Sequence, residues 1–433
     1  MSWITSKIGE YCLVGDGAHA KIPRRESGVM YLTSKNFKPE GLDLSKIDFI
    51  SEEDFDKHFR RASKAVTKPE PSDVLVSIIG SLGEPYVVRP SDRFGLSSSV
   101  AIIRPRQDML APEYLYYWMK GGIFQGAVYG TKGGVAQSYL SLEMIRSLPL
   151  RFPALSVQRN IVDVLSAYDD LIENNTRRIK SLEKMAKMIY REWFVNFRFP
   201  SHEKVEVMES ELGLIPDGWH VEPLERHLSV LETGNRPKGG IAGFREGVPS
   251  IGAESISGVG RFDYAKTKYV PVEYFEKMNQ GVLQDRDVLV YKDGGQPGNF
   301  HPHVSLVGEG FPFSKMAINS HVYRLRTTGR ITQDYLYYHL SSDESLKWMH
   351  LHGTGSAIPG LARKDLLQLP LTMPPKALVQ QFDTFAKPLT SLILITAKRT
   401  HNLRMTREYL LPKLISGEIK METLESEAVA QGV

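Results

Sequence analysis

Two short stretches carry residues that could bind phosphate or metal, and neither completes a catalytic motif. The segment "GNRPKGG", residues 234–240, resembles a phosphate-binding loop but lacks the Gly-Lys-Ser/Thr ending and the following helix of a Walker A motif. His301 and His303 in "HPHV" could bind a metal ion, but no carboxylate or cysteine cluster accompanies them. There is also no Asn/Asp-Pro-Pro-Tyr/Phe tetrapeptide of the kind that holds a base for methylation. We therefore expect no catalytic residue, no metal site and no cofactor in this chain, although a dispersed Ser–His–Asp trio stays open.

Basic loops that contain glycine are the residues best suited to bind a ligand, and the ligand they suit is DNA. Lysine and arginine neutralise phosphates, arginine reads guanine, and asparagine or glutamine reads adenine. Such loops occur in both halves of the sequence, although a solvated loop is the alternative for any single residue. The candidate DNA-binding residues are Lys21, Arg24, Arg25, Lys35, Asn36, Arg236, Lys238, Lys292 and Gln296.

These loops belong to a sequence that repeats itself. The phrase "EYLYYWM" at 113–119 returns as "DYLYYHL" at 334–340, "SDVLVSIIG" returns as "RDVLVYKDG", and "SLPLRFP" returns as "QLPLTMP". Seven such matches occur in the same order at nearly constant spacing, which indicates a duplication. The Leu and Trp or His of the tyrosine phrase have helical spacing, so we predict a short helix in each copy that packs into a core. Base stacking by the tyrosines is the alternative.

Each copy ends in a long helical pattern. No proline or glycine occurs between Val157 and Phe197, and apolar or small residues recur there in alternating steps of four and three, typical of a coiled coil. The predicted seam of the first helix is Ile161, Leu165, Tyr168, Ile172, Asn175, Ile179, Leu182, Ala186, Ile189 and Trp193. The predicted seam of the second helix is Phe385, Leu389, Leu392, Thr396, Arg399, Leu403, Thr406 and Leu410.

Pro388 should kink the second helix or delay its start. Because an exposed seam is unstable, we predict that the two helices pair with each other in antiparallel fashion; the alternative is that each packs on its own domain. At the end of the first helix, Trp193, Phe194 and Phe197 are candidates for docking a partner, with packing against the second repeat as the alternative.

The composition is that of a globular protein without disulfides. The 433 residues are 42% hydrophobic and 24% charged, the net charge is +4, and there is one cysteine, Cys12. A single cysteine excludes a disulfide framework and suits a reducing cytosol, so we expect a cytoplasmic protein. The sequence shows no signal-peptide pattern and no apolar run long enough to span a bilayer, so no membrane partner is expected.

The quoted repeats, together with "LGLIPDGWHVEPL" in mid-chain and "LLPKLISGEI" near the end, strongly resemble the specificity subunit of type I restriction–modification enzymes. The resemblance covers nearly the whole chain and implies an α+β protein. Two similar mixed α/β target-recognition domains would be separated by two long antiparallel coiled-coil helices in a pseudo-twofold repeat. The expected segments are a domain over 1–155, a helix over 156–199, a linker over 200–212, a domain over 213–376, a helix over 377–416 and a tail over 417–433.

The resemblance also implies the function and the partners. Each domain would read one half of an asymmetric, bipartite site in double-stranded DNA, and the helices would set the spacer and help to dock two modification subunits. The modification and restriction subunits would supply the catalysis, with S-adenosylmethionine, ATP and Mg²⁺ bound in those partners. A protein-interaction scaffold is the alternative function, and a nuclease or methyltransferase with a dispersed motif is a third.

Overall fold

The computed structural model describes residues 3–39, 41–60, 66–130, 139–241, 243–294, 300–308, 310–353 and 359–420. The chain divides into two compact units. The first unit contains the residues up to 170 and those from 404 onward, and the second contains residues 171–403. Part of each long helix therefore belongs to each unit.

The first unit mixes short strands with short helices. Its strands are Ile4–Lys7, Cys12–Asp16, Val29–Leu32, Phe37–Lys38, Gly41–Leu42, Asp48–Ile50, Val74–Ser77, Pro85–Val87, Phe94–Leu96, Val100–Pro105 and Pro149–Phe152. Its short helices are Ile8–Tyr11, Glu52–His58, Pro112–Lys120, Gly122–Gly130 and Leu142–Ser147, with a 3-10 turn at Ser34–Asn36. The first long helix, Leu155–Tyr190, begins in this unit.

The second unit repeats that sequence of elements. Its strands are Val207–Ser210, Gly213–Pro216, His220–Pro223, Leu228–Thr233, Val248–Ile251, Lys268–Val270, Val288–Tyr291, Val304–Leu306, Ala317–Ile318, Val322–Thr327 and Pro370–Met373. Its short helices are Val272–Glu276, Gln333–Leu340, Asp343–His352 and Arg363–Leu367, with 3-10 turns at His202–Lys204, Leu224–His227, Ala253–Ser255 and Tyr264–Lys266. A π-helical turn, Arg191–Val195, follows the first long helix, and the second long helix is Lys376–Ser416.

The main sheet has the same strand order in both units, as the duplication predicts. In the first unit the order is Cys12–Asp16, Val100–Pro105, Val74–Ser77 and Pro85–Val87, and every pair is antiparallel. In the second unit the order is Leu228–Thr233, Val322–Thr327, Val288–Tyr291 and Val304–Leu306, again antiparallel. A three-stranded sheet with one antiparallel and one parallel pair accompanies each main sheet.

Each main sheet has apolar cores on both faces, which explains the unbroken hydrophobic runs "VLV" in its middle strands. Successive side chains of a strand point to opposite faces. Accordingly Val74 and Val76 join one core of the first unit while Leu75 joins another. In the second unit, Leu289 faces a different core from its two valine neighbours.

The repeated tyrosine phrase ties its helix to the elements that follow it. In the first unit, Tyr114 donates a hydrogen bond to the Arg151 carbonyl oxygen at 3.2 Å, and Tyr117 donates to Asp169 of the first long helix at 2.7 Å. These two tyrosines are buried, as are Leu115 and Trp118, so the core interpretation is confirmed.

The second unit repeats those contacts at the equivalent positions. Tyr335 donates to the Thr372 carbonyl oxygen at 2.7 Å, and the Tyr338 hydroxyl lies 3.1 Å from that of Thr390 on the second long helix. Both tyrosines are at most 1% exposed, so they are not available for base stacking. The phrase occurs twice because each unit needs the same two anchors, one to a strand and one to its own long helix.

The long helices share a core within each unit. In the first unit, Ile161 and Leu165 join the same cluster as Leu414 and Ile415, and Arg407 pairs with Asp169. In the second unit, the first-helix residues Ile179, Leu182 and Ala186 join a cluster with second-helix residues. The predicted seam of the first helix is therefore confirmed at these five positions.

The predicted seam of the second helix is confirmed at Thr396, which is buried, and at Leu389 and Leu392, which pack against the core of the second unit, but it is wrong at Phe385 and Arg399. Phe385 is 48% exposed and Arg399 is also exposed, whereas the buried face consists of small and apolar residues. The buried positions of this helix are Leu378, Val379, Phe382, Ala386, Thr390, Ile393, Leu394, Thr396, Ala397, Thr400, Leu414 and Ile415. Threonine and alanine occupy this face because their short side chains allow close packing, and the Thr390 and Thr400 hydroxyls bond to carbonyls one turn back.

Pro388 does not delay the start of the second helix, which was one of the two effects predicted for it. The helix begins at Lys376, directly after Pro375, whose carbonyl oxygen accepts a hydrogen bond from Val379 N at 3.3 Å. Val379, Phe382 and Ala386 bury this first part in the core of the second unit. Their packing offsets the backbone hydrogen bond that Pro388 cannot donate.

Candidate nucleic-acid interface

Strand register brings the candidate residues of the first unit to one end of its main sheet, here called the first loop end. Asp16 pairs with Ala101, and Ser77 pairs with Val100, so the loops after these strands leave at the same end. Leu32 pairs with Leu96 in the parallel strands, and the turn after it also lies there, because Ser34 N donates to the Ser99 hydroxyl at 3.0 Å. The first loop end therefore comprises residues 17–28, 33–36, 78–84 and 97–99.

Lys21, Arg25 and Lys35 present exposed cations at the first loop end. Arg24 is partly committed to the fold: its guanidinium lies 3.9 Å from the centre of the Tyr31 ring and donates to Asp48 at 3.1 Å. The side chain keeps 40% of its surface exposed, so contact with a ligand stays a prediction. Ile22, buried between these charged residues, anchors the loop.

Asn36 is buried, and its amide closes its own loop. Its oxygen accepts from Thr33 N at 2.9 Å, and its nitrogen donates to the carbonyl oxygens of Asp43 and Lys46 at 3.1 Å. The residue thus shapes the turn that presents Lys35. A direct role for Asn36 in base reading stays a prediction.

The second unit gathers its candidates at the equivalent end of its sheet, here called the second loop end. Thr233 pairs with Tyr323 and Tyr291 pairs with Val322, so the loops that follow Thr233 and Tyr291 leave together. Arg236 and Lys238 are exposed on the first of these loops. Lys292 on the second is partly buried, and Gln296 lies outside the described residues.

A cavity of about 570 Å³ opens at the second loop end. Its polar lining includes Glu254, Asp293 and three histidines: His301, His303 and His321. Lys292 donates to Asp293 at 2.6 Å, and Lys268 pairs with Glu254. Burial, followed by the neighbouring charge of His301, lowers the pKa of His303 below its ordinary value.

The sequence did not predict the two acids of this cavity, Glu254 and Asp293, because the candidate residues were limited to cationic and amide side chains. Asp293 follows its strand by two residues, and Glu254 lies in the 3-10 turn after the strand Val248–Ile251. A comparison of the two repeats could have identified both positions. At these two positions the first unit has Ile79 and Lys35, so the sequence diverges where the scaffold matches.

The described residues hold no group of three or more His, Cys, Asp or Glu side chains arranged to bind a metal ion. His301 instead stacks on His350, with ring centres 6.1 Å apart. Within the same described ranges, no helix is both long and apolar enough to cross a membrane.

The aromatic residues at the end of the first long helix pack within the second unit. Phe194 is 3% exposed and lies edge-on to Tyr335 and Phe382. Phe197 adopts a left-handed backbone conformation, with φ of 57°, and packs edge-on against Trp219. Trp193 is only partly buried and contacts the exposed Phe385 with ring centres 5.8 Å apart, so docking of a partner stays a prediction for this pair.

Known proteins resemble this chain both in sequence and in fold. Residues 29–184 match the family model of the type I restriction modification DNA specificity domain. The MjaIX specificity subunit of Methanocaldococcus jannaschii, a type I restriction enzyme, is 27% identical over 325 residues, which cover 73% of this chain and 71% of that protein. The putative MjaX specificity subunit of the same organism is 24% identical over 95% of this chain and 92% of its own length.

A solved structure shares the fold. The S subunit of a type I restriction–modification system from M. genitalium superposes with a TM-score of 0.55 at 14% identity, covering 95% of this chain and 96% of that one. The α+β fold is thus confirmed. The resemblance to type I specificity subunits, expected from the sequence, is confirmed as well.

Proposed function

We propose that this chain is the DNA sequence-recognition subunit of a type I restriction–modification complex. Each unit reads one half of a bipartite site in double-stranded DNA through its loop end. The observation that carries the proposal is the repeated topology, which gathers basic loops at the same end of both main sheets. Exposed lysines and arginines there can neutralise phosphates, and loop side chains can reach base edges.

The two halves of the site differ in sequence. Residues at equivalent places on the two loop ends offer different hydrogen-bonding groups, such as Lys35 against Glu254 and Ile79 against Asp293. Two units with the same scaffold but different contact residues prefer different bases. The site is therefore asymmetric, as the sequence predicts.

The long helices act as a paired, antiparallel spacer in a pseudo-twofold arrangement. Support comes from the core of each unit, which contains residues of both helices. Such a spacer favours half-sites roughly one helical turn apart, about 10 bp centre to centre. A few unread base pairs then separate the two halves.

The chain itself is not catalytic in this proposal and works in the cytoplasm. Two modification subunits dock in part on the helices and on the exposed side of Trp193 and Phe385, and they carry S-adenosylmethionine. Restriction subunits carry ATP and Mg²⁺ for translocation and cleavage. Similarity to curated specificity subunits supports this division of labour.

Methylome sequencing of a host with and without this gene tests the proposal. The expected result is a methylated two-part motif that disappears with the gene. The matched test uses Arg236→Ala with Lys238→Ala in the second unit, which should weaken or relax one half of the motif and leave the other unchanged. A protein-interaction scaffold would instead leave the methylome the same in all strains.

A further inference from the structure

Two acidic side chains, Glu254 and Asp293, lie at the second loop end, whose lysines and arginine suit an anionic ligand. The Asp293 side chain is 20% exposed and lines the cavity. One carboxylate oxygen accepts from Lys292 Nζ at 2.6 Å, and the other contacts His321 Nδ1. Each carboxylate oxygen can accept two hydrogen bonds, so these contacts orient the group and leave it able to accept more.

The protonation state of Asp293 restricts what it can bind. Burial acts to raise the pKa of this carboxyl, but the hydrogen bonds from Lys292 and His321 outweigh burial and hold the pKa below its ordinary value. At neutral pH the side chain is therefore an anion that can only accept hydrogen bonds. A DNA phosphate repels such a group, so a favourable contact with the duplex must involve a donor on a base. In the major groove these donors are cytosine N4 and adenine N6.

Lys292 distinguishes between the two kinds of base pair. Its Nζ and the Asp293 Oδ2 lie 2.6 Å apart. Cytosine N4 and guanine O6 are hydrogen-bonded to each other in their pair, so they lie about 3 Å apart. The acid–lysine pair can therefore meet both atoms side by side. An A·T pair also presents a donor and an acceptor, adenine N6 and thymine O4, but the atoms beside them differ. The thymine methyl group would lie where guanine offers N7 to Lys292, and the acceptor adenine N7 would face the Asp293 carboxylate, so the C·G pair is preferred.

We propose, on the basis of the proposed function, that Asp293 and Lys292 together read one C·G base pair in the half-site of the second unit. Asp293 accepts from cytosine N4 and Lys292 donates to guanine O6. The requirement applies to one half only. Ile79 is the equivalent residue of the first unit, since each forms an isolated bridge with a residue much later in its unit, Tyr139 and Gly360 respectively. An aliphatic side chain accepts no hydrogen bond.

The experiment uses the full chain assembled with its modification subunits. Selection from a random double-stranded DNA library first defines the site. Every cytosine of that site is then replaced in turn by 2-pyrimidinone, which lacks only the 4-amino group. The wild-type complex should bind about tenfold more weakly when one particular cytosine is replaced. The Asp293→Ala complex should bind the two duplexes equally.

Two further variants separate base reading from folding. Asp263→Ala removes another carboxylate with a lysine partner, Lys266 Nζ at 2.9 Å, which does not line the cavity, and it should keep the wild-type response. Asp293→Asn keeps the side-chain shape. Because an amide both accepts and donates hydrogen bonds, this variant should also bind sites that have adenine in place of that cytosine.

The outcomes distinguish this inference from the function on which it rests. If Asp293→Ala weakens binding equally for all sequences, Asp293 only positions its loop and the inference is wrong. It is also wrong if every cytosine replacement weakens binding by the Asp293→Ala complex as much as it weakens binding by the wild-type complex. If the wild-type complex selects no common sequence at all, the proposed DNA recognition itself fails.

Discussion

Protonation of His339 should destabilise the second unit as the pH falls. The side chain is 8% exposed, and both ring nitrogens have partners. Nε2 lies 3.1 Å from the Pro370 carbonyl oxygen, and Nδ1 lies 2.9 Å from the Tyr190 hydroxyl. Because a carbonyl only accepts, the neutral ring donates from Nε2 and accepts at Nδ1. Burial lowers the pKa of His339 from 6.5 to about 4.

The size of this loss of unfolding free energy follows from proton linkage. The pKa is lower in the folded state, so the unfolded chain binds the proton first as the pH falls through about 6.5. The stabilisation is present above that pH and is lost progressively toward pH 4. The difference between a pKa of 6.5 in the unfolded chain and about 4 in the folded protein corresponds to about 3.4 kcal/mol of unfolding free energy at high pH. About 2 kcal/mol of this stabilisation is lost by pH 5.

Urea unfolding at pH 8 and pH 5, followed by tryptophan fluorescence, measures this loss. His339→Gln keeps a donor and an acceptor but does not titrate. Between pH 8 and pH 5 the wild type should lose about 2 kcal/mol more unfolding free energy than this variant. His220→Gln, at an exposed histidine of the same unit, should behave like the wild type. An equal loss in wild type and His339→Gln would refute the reasoning.

Four other outcomes are expected. Arg24→Ala with Arg25→Ala should weaken or relax recognition of one half-site, and selection from a DNA library would contradict this by showing equal loss at both halves or none. Four residues inserted into each long helix add about 6 Å, so the tolerated spacer should grow by roughly 2 bp while both half-sequences stay the same; unchanged spacing would exclude the spacer role. Arg236→Ala with Lys238→Ala should reduce the slope of log affinity against log salt by about 2, as titrations between 50 and 200 mM salt can measure. Tyr117→Phe should lower the unfolding free energy by about 1 kcal/mol through the lost bond to Asp169, whereas Tyr116→Phe, at a partly exposed side chain, should change it little in the same urea assay.

The scaffold was predictable because its signals are local and occur twice. Runs such as "VLV" predict buried strands wherever they occur, and the tyrosine phrase predicts a buried helix in either copy. The second long helix was harder, because its buried face uses Ala386, Thr390 and Ala397 where a search for large apolar residues prefers Phe385. Small residues carry little hydrophobic signal, although they permit the closest helix packing.

The candidate site was predictable only in outline. Sequence alone places Arg236 and Lys292 in separate loops, and the strand register is what brings these loops to one end of the sheet. Asn36 has the side chain of a base reader, yet its amide bonds are satisfied by three backbone groups of its own loop. Asp293 is neither basic nor an amide, so it did not meet the criteria for a DNA-binding candidate. Its orientation depends on Lys292 and on His321, which is distant in the sequence. Such roles depend on partners, which a single residue type does not reveal.

The two units agree where side chains hold the fold and differ where they face the loop ends. Asp73 with Arg104, and Asp287 with Arg326, form the same ion pair at equivalent positions, at 2.7 and 2.6 Å. Both acids are almost fully buried, and breaking such a pair by removing one partner costs about 3–5 kcal/mol, so neither copy can change it freely. Lys35 and Glu254 have no such restriction, because Lys35 is exposed and Glu254, among the described residues, pairs only with the exposed Lys268. A repeated scaffold with identical loop ends would recognise two identical half-sites. The two loop ends of this chain carry opposite charges at the same position, so the proposed DNA site should be asymmetric because the duplicated units have diverged there.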